Sequence, residues 1–147
     1  MVEPWRVAPC LAEAKAMNMK IDVLVCGGGC AGLGAAIAAA RAGARVLMIE
    51  RAPFSGGIMT SVGLPFMDGV FCWHTRRIVV RGLSMELLVK LGSGPADATC
   101  LEDFKPSLVL YDWPTAMIDS IEKFKLAADD LLEGAKVDIL YNTMVCG

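Results

Sequence analysis

The sequence predicts an α/β fold built on a parallel sheet of at least three strands with right-handed crossovers. Three observations carry that expectation. A short, mostly apolar run, Ile-Asp-Val-Leu-Val-Cys at 21–26, ends in a cluster of glycines. A small-residue helical pattern follows and leads into a second run, Arg-Val-Leu-Met-Ile-Glu at 45–50. A later amphipathic helix runs into a third, Val-Asp-Ile-Leu-Tyr at 137–141. Runs this apolar, separated by helices, are the pattern of strands buried on both faces.

Taken in order, residues 1–20 hold Pro4 and Pro9, then an Ala/Met/Lys-rich stretch from Leu11 to Lys20. We read this stretch as a lead-in containing a short helix and no chemistry. Residues 21–147 form the domain proper. After the first strand, Gly27 to Gly32 is a turn. The helix behind it has Leu33, Ile37 and Ala40 on one face and Gly43 at its left-handed end. Residues 52–114 are expected to be a loop-rich insertion, with a short strand at Ile78–Val80 and an extended piece at Leu108–Tyr111. Within it, Ser84 is expected to cap a helix through Leu91 that Gly92 stops. The next helix has Asp119 and Glu122 at capping-box spacing. Ile121, Phe124, Ala128, Leu131 and Leu132 form its apolar stripe, and Gly134 ends it.

Composition limits the function classes. Of the 147 residues 55% are hydrophobic and 20% charged, which excludes a disordered chain. A net charge of −2 offers no basic patch for nucleic acid. Residues 23–40 carry no charge, yet their glycines and alanines give too little transfer energy for a membrane span. The six cysteines form no Cys-x-x-Cys pair, so they read as reduced thiols of a cytoplasmic protein. With His74 the sole histidine, metal binding is not expected.

The chemistry lies in the glycine turn. Gly27, Gly29 and Gly32 have the spacing of a dinucleotide-binding loop, and each has a separate task. Gly27 permits the turn out of the strand. Gly29 removes a side chain where a pyrophosphate would approach, and Gly32 lets the helix pack closely on the strand. Backbone N–H groups around Gly28, Cys30 and Ala31 at the helix start then face the phosphates. Glu50 stands 23 residues past Gly27, near the roughly 20 expected for the acid that accepts ribose hydroxyls. A carboxylate there also repels a 2′-phosphate and so disfavours NADP. The pattern is that of a Rossmann-like βαβ unit, and alone it does not separate FAD from NAD.

The run IDVLVCGGGCAGLGAAIAAARAGARVLMIER, residues 21–51, resembles the opening of glutathione-reductase-type flavoproteins. With ERAPFSGGIMTSVGLP behind it, the chain resembles the broad family of FAD-dependent oxidoreductases, whose second strand is followed by a Gly-Gly turn. The segments IVVRGLSMELLVKLG and DSIEKFKLAADDLLEGAKVDILYNTMV resemble that family's substrate-side helix and its next helix and strand. The resemblance implies FAD as cofactor. It implies cofactor contacts at Gly27, Gly28, Gly29, Cys30, Ala31, Gly32, Glu50, Arg51, Ser55, Gly56 and Gly57; Arg51, directly after the ribose acid, is placed either to stack on adenine or to serve as a plain surface residue. It also implies an N-terminal portion of a longer enzyme, because family members continue through a β-meander and a segment that closes over the flavin. A small-molecule substrate and self-association through an uncovered sheet edge follow from the same reading. Cys30 stands where the family often has proline, and reads as a space-filler.

Outside the loop, His74 in Phe-Cys-Trp-His-Thr-Arg-Arg is a candidate flavin attachment point or acid/base. Arg76, Arg77 and Arg81 are candidates for an anionic substrate. For all of these a plain surface role is the simpler reading. The alternative to an oxidoreductase is a non-catalytic nucleotide-binding fragment that needs a partner chain or a C-terminal part.

Overall fold

In the computed structural model, residues 19–105, 107–110 and 113–146 are described. In chain order the elements are strand β1 (Val23–Cys26), helix α1 (Cys30–Arg41), strands β2 (Val46–Ile49) and β3 (Phe66–Met67), helix α2 (Leu83–Lys90), strands β4 (Ser107–Leu110) and β5 (Trp113–Met117), helix α3 (Ile121–Gly134) and strand β6 (Asp138–Leu140). The expected lead-in helix lies outside the described residues but for Met19 and Lys20, which are not helical.

The three apolar runs form one parallel sheet in the order β1-β2-β6, with Val23 opposite Val46 and Met48 opposite Ile139. The expected parallel sheet is therefore present. Its Val25, Val46 and Met48 side chains meet Leu33, Ala36 and Ile37 of α1 and Phe124, Ala127, Ala128 and Leu132 of α3 in a single core. The i, i+3, i+4 spacing of Leu33, Ala36 and Ile37 gives α1 its buried stripe, and its alanines supply helix propensity. Burial of a side chain such as Leu132, fully inaccessible here, is worth about 1.5–3 kcal/mol. Among the described residues β1 is the edge of its sheet, and two of its residues, Leu24 and Cys26, are exposed.

The middle of the chain is more ordered than the loop-rich insertion expected. It builds a second, antiparallel sheet in the order β3-β5-β4. A smaller core of Val70, Phe71, Met85, Leu88, Leu101, Phe104 and Ala116 lies beside it, with Phe71 and Phe104 edge to face at 5.3 Å. α2 serves both cores, Leu83 and Leu87 facing one, Met85 and Leu88 the other.

Three local expectations are corrected. No strand forms at Ile78–Val80. Ile78 and Arg77 make isolated bridges, and the amides of Val79 and Val80 both turn to the single carbonyl of Val70. Ser84 does not cap α2; Gly82 holds that position and Leu83, packed against the larger core, is drawn into the helix. The cap of α3 is Ser120, whose Oγ accepts the Lys123 N–H at 3.3 Å. Asp119 and Glu122 turn outward to Lys123 and Lys125 at 2.7 and 2.8 Å. The extended piece begins at Ser107 and reaches Leu110; Tyr111 lies outside the described residues.

Candidate functional site

The chain leaves β1 through Gly27, whose φ of +105° a side chain would strain. Gly27 N–H donates to the Ile49 carbonyl at 2.8 Å, which fixes the turn to the end of β2. Gly29 is the N-cap of α1, with no side-chain cap and no acidic residue in the first turn. The first N–H groups of the helix, Cys30, Ala31 and Gly32 among them, therefore face outward without an intrahelical acceptor. Gly32 is packed as the spacing requires. A Cβ built on it would lie 1.8 Å from the Gly27 carbonyl oxygen.

Glu50 closes the loop from beneath. It is 9% exposed; its Oε2 accepts the Gly28 N–H at 2.6 Å and its Oε1 accepts the Ala52 N–H at 2.7 Å. The acid read as a ribose ligand is thus also the brace of the glycine loop, a duty that spacing alone does not disclose. Each carboxylate oxygen keeps a further lone pair for a ligand.

The second glycine turn docks on the first. Gly56 N–H donates to the Gly28 carbonyl at 2.7 Å, and a Cβ on Gly57 would lie 2.9 Å from the Gly29 Cα. Ser55, fully buried, starts this turn, and Thr60 Oγ1 donates to its carbonyl at 2.8 Å. Two runs of bare backbone therefore meet at the start of α1.

Two cavities adjoin this junction. One, of about 200 Å³, lies at the strand ends between Gly27, Glu50, Arg51 and the tail Thr143–Val145. The Thr143 N–H donates to the Glu50 carbonyl at 3.0 Å, which holds the tail there. Sequence reasoning missed Thr143, Met144 and Val145; their one signal was that they follow a parallel strand. The other cavity, of about 290 Å³, runs from Cys30 past Leu33, Met59, Phe66 and Phe124 to Asp68. It is mainly apolar, and its carboxylate is held by the buried Thr115 hydroxyl, which donates to Asp68 at 2.5 Å.

The remaining candidates lie apart from this junction. His74 is exposed and lines neither cavity. Arg76 pairs with Glu102 at 3.3 Å, Arg81 donates to the Ala98 carbonyl, and the exposed Arg77 lines neither cavity. The Cys30 thiol sits 3.8 Å from the Gly56 carbonyl, and burial pushes its pKa up, away from a reactive thiolate. No group of side chains among the described residues is placed to hold a metal ion, and no helix there is long and apolar enough to cross a membrane.

Compared with known proteins, residues 22–147 match the family model described as FAD dependent oxidoreductase. The chain belongs to the FAD-dependent oxidoreductases. FAD is accordingly the cofactor of its family. It is 31% identical over 120 residues to a probable fumarate reductase, Ifc3, of Shewanella frigidimarina, covering 80% of this chain and 20% of that protein. Among solved structures it is similar to a 3-ketosteroid dehydrogenase from Rhodococcus jostii, at 18% identity and a TM-score of 0.47, covering 90% of this chain and 40% of that one. It is also similar to NikD, an amino acid oxidase of nikkomycin biosynthesis, at 16% identity and a TM-score of 0.48, covering 85% and 44%. The chain thus spans one fifth of the curated relative it matches and under half of these solved chains.

The residues present fit the ADP half of FAD. Side chains on Gly29 or Gly57 would fill the cradle at the helix start, and the first turn of α1 carries no acidic residue to repel a pyrophosphate.

Proposed function

We propose that this chain is the FAD-binding front of a flavin-dependent oxidoreductase, with the ADP half held in the glutathione-reductase-type manner. Gly27, Gly28, Gly29, Cys30, Ala31 and Gly32 would take the pyrophosphate, with Ser55, Gly56 and Gly57 closing over it. Glu50 would take the ribose, and Arg51 with the Thr143–Val145 tail would flank adenine in the smaller cavity. The observation that carries this reading is the meeting of two glycine turns, backbone on backbone, at an uncapped helix start. The larger cavity lies next to Cys30 and suits a flat ring system or a substrate, with Asp68 and Ser84 among the polar side chains on its wall. When bound, the isoalloxazine supplies the electron transfer, and the protein binds and orients it. The reading includes a cytoplasmic setting, a small-molecule substrate and no nucleic-acid partner.

A second reading is favoured by the fraction of the curated relative that the chain spans. On it, the chain binds nucleotide but needs further polypeptide for turnover. Titrating the 147-residue protein with FAD and with ADP, by fluorescence quenching and calorimetry, tests both. Comparable weak affinities and a colourless protein support an ADP half-site. A yellow monomer that reduces its flavin with a donor overturns the second reading, and a chain that binds neither ligand overturns both.

A further inference from the structure

Beyond the glycine loops, the structure holds a chain of hydrogen bonds that starts on α3 and ends at the second turn. Tyr141, just past β6, donates its hydroxyl proton to Asp129 on α3 in a short hydrogen bond. The same hydroxyl oxygen is 2.8 Å from Ser55 Oγ. A phenol has one proton and Asp129 takes it, so the Ser55 hydroxyl is the donor to Tyr141. Ser55 has no exposed surface, which leaves its proton no water to turn to. The next residue, Gly56, donates its N–H to Gly28, and Gly57 rests on Gly29.

We propose that Tyr141 is a positioning residue for the dinucleotide site, holding the Ser55–Gly57 turn against the first glycine loop through Ser55 and anchoring it to α3 through Asp129. This rests on the phosphate role proposed above for the two turns. Loss of the phenol oxygen leaves a buried donor unpaired, and the turn must then shift to satisfy it. A shift of the turn moves Gly56 and Gly57 relative to Gly29, and so opens the cradle on one side. The aromatic ring keeps its packing in Tyr141→Phe, so the hydroxyl alone is removed.

The test combines hydrogen exchange at the Gly56 amide, in the ligand-free protein, with calorimetric titration of ADP. Tyr141→Phe, which strands the Ser55 donor, should accelerate Gly56 exchange and weaken ADP binding roughly tenfold, and Ser55→Ala, which loses the tie without stranding a donor, should do both to a smaller degree. The double variant should be no weaker than either single variant, because both remove the same link. Asp129→Asn keeps a carbonyl acceptor for the phenol and should stay near the parent in both measurements. Unchanged Gly56 exchange in Tyr141→Phe overturns the proposal. So does faster exchange with unchanged ADP affinity, which would make the link structural only. Losses that add in the double variant overturn it too. A parent that binds no ADP overturns instead the phosphate role of the turns, and the exchange measurement then decides by itself whether Tyr141 holds the turn.

Discussion

Alanine substitution at three glycines, Gly29, Gly32 and Gly34, separates packing from binding in this loop. At Gly32 the added Cβ would lie 1.8 Å from one backbone oxygen and 2.9 Å from its carbon. Both partners are main chain, so no rotamer relieves the overlap. Restoring ordinary contact means moving the start of α1 by about 1.6 Å, the gap between 1.8 Å and the 3.4 Å of normal contact. That shift unseats Leu33, Ala36 and Ile37 from the core. Overpacking of this kind costs about 1–3 kcal/mol and sometimes more, against about 1 kcal/mol gained by replacing a helical glycine. Taking the upper end of that cost, because both clashing atoms are main chain, we expect Gly32→Ala to lose about 2 kcal/mol net in urea unfolding, a sizeable share of a typical 5–15 kcal/mol. Gly34, two residues on, meets nothing within 4 Å, so Gly34→Ala should gain roughly 0.5–1 kcal/mol. Gly29 has an ordinary φ of −71° and its Cβ would see only the Gly57 Cα at 4.0 Å. Gly29→Ala should therefore fold as well as the parent, while Gly29→Val, which fills more of the proposed pyrophosphate space, abolishes ADP and FAD binding. Equal melts for Gly32→Ala and Gly34→Ala would refute the packing argument, and parental ADP affinity in Gly29→Val would refute the phosphate assignment.

Glu50→Ala should weaken ADP binding by about 1–3 kcal/mol and reduce discrimination against 2′-phosphorylated ligands. It should also lower stability, because the Gly28 and Ala52 N–H groups lose their acceptor; calorimetry and melts that both stay parental would remove Glu50 from the site. The pKa of Tyr141 is pushed up to about 12, first by burial and then by its hydrogen bond to Asp129. An unfolded tyrosine ionises near 10, so this contribution to stability is whole below about pH 10 and is lost as pH rises toward 12. Melting temperatures across that range should fall more steeply in the parent than in Tyr141→Phe, and parallel slopes would contradict the linkage. Finally, the β1 edge with its exposed Leu24 should make the isolated chain self-associate. Leu24→Lys should raise the monomer fraction in sedimentation, and an unchanged distribution would place the contact elsewhere.

The parallel sheet and the first glycine loop were legible because their signals are local. Two of the apolar runs, the glycine spacing and an acid at a fixed offset all lie within residues 21–50, and the third run directly follows its own amphipathic helix. The antiparallel sheet was not, and its residues explain why. β3 is two residues long and sits between Pro65 and Gly69, while β5 carries Pro114. That proline is tolerated because β3 reaches only Ala116 and Met117, so no partner on that side needs its missing N–H. Helix starts were misplaced by one or two residues for a related reason. Several adjacent residues compete to cap, and packing of Leu83 or the side-chain reach of Ser120 decides among them. The second duty of Glu50 and the Tyr141–Ser55 link were hidden by distance, since the latter pair is 86 residues apart.

The contact between the two glycine turns makes the phosphate cradle a product of tertiary assembly. The fingerprint residues up to Glu50 supply one wall, and the second wall arrives only when the chain returns at Gly56 to meet Gly28. The site is therefore open to local unfolding in which the second turn lifts away while the sheet and helices stay intact. A bound dinucleotide would act as a clasp across the two segments, so that ligand release and this partial opening become one event.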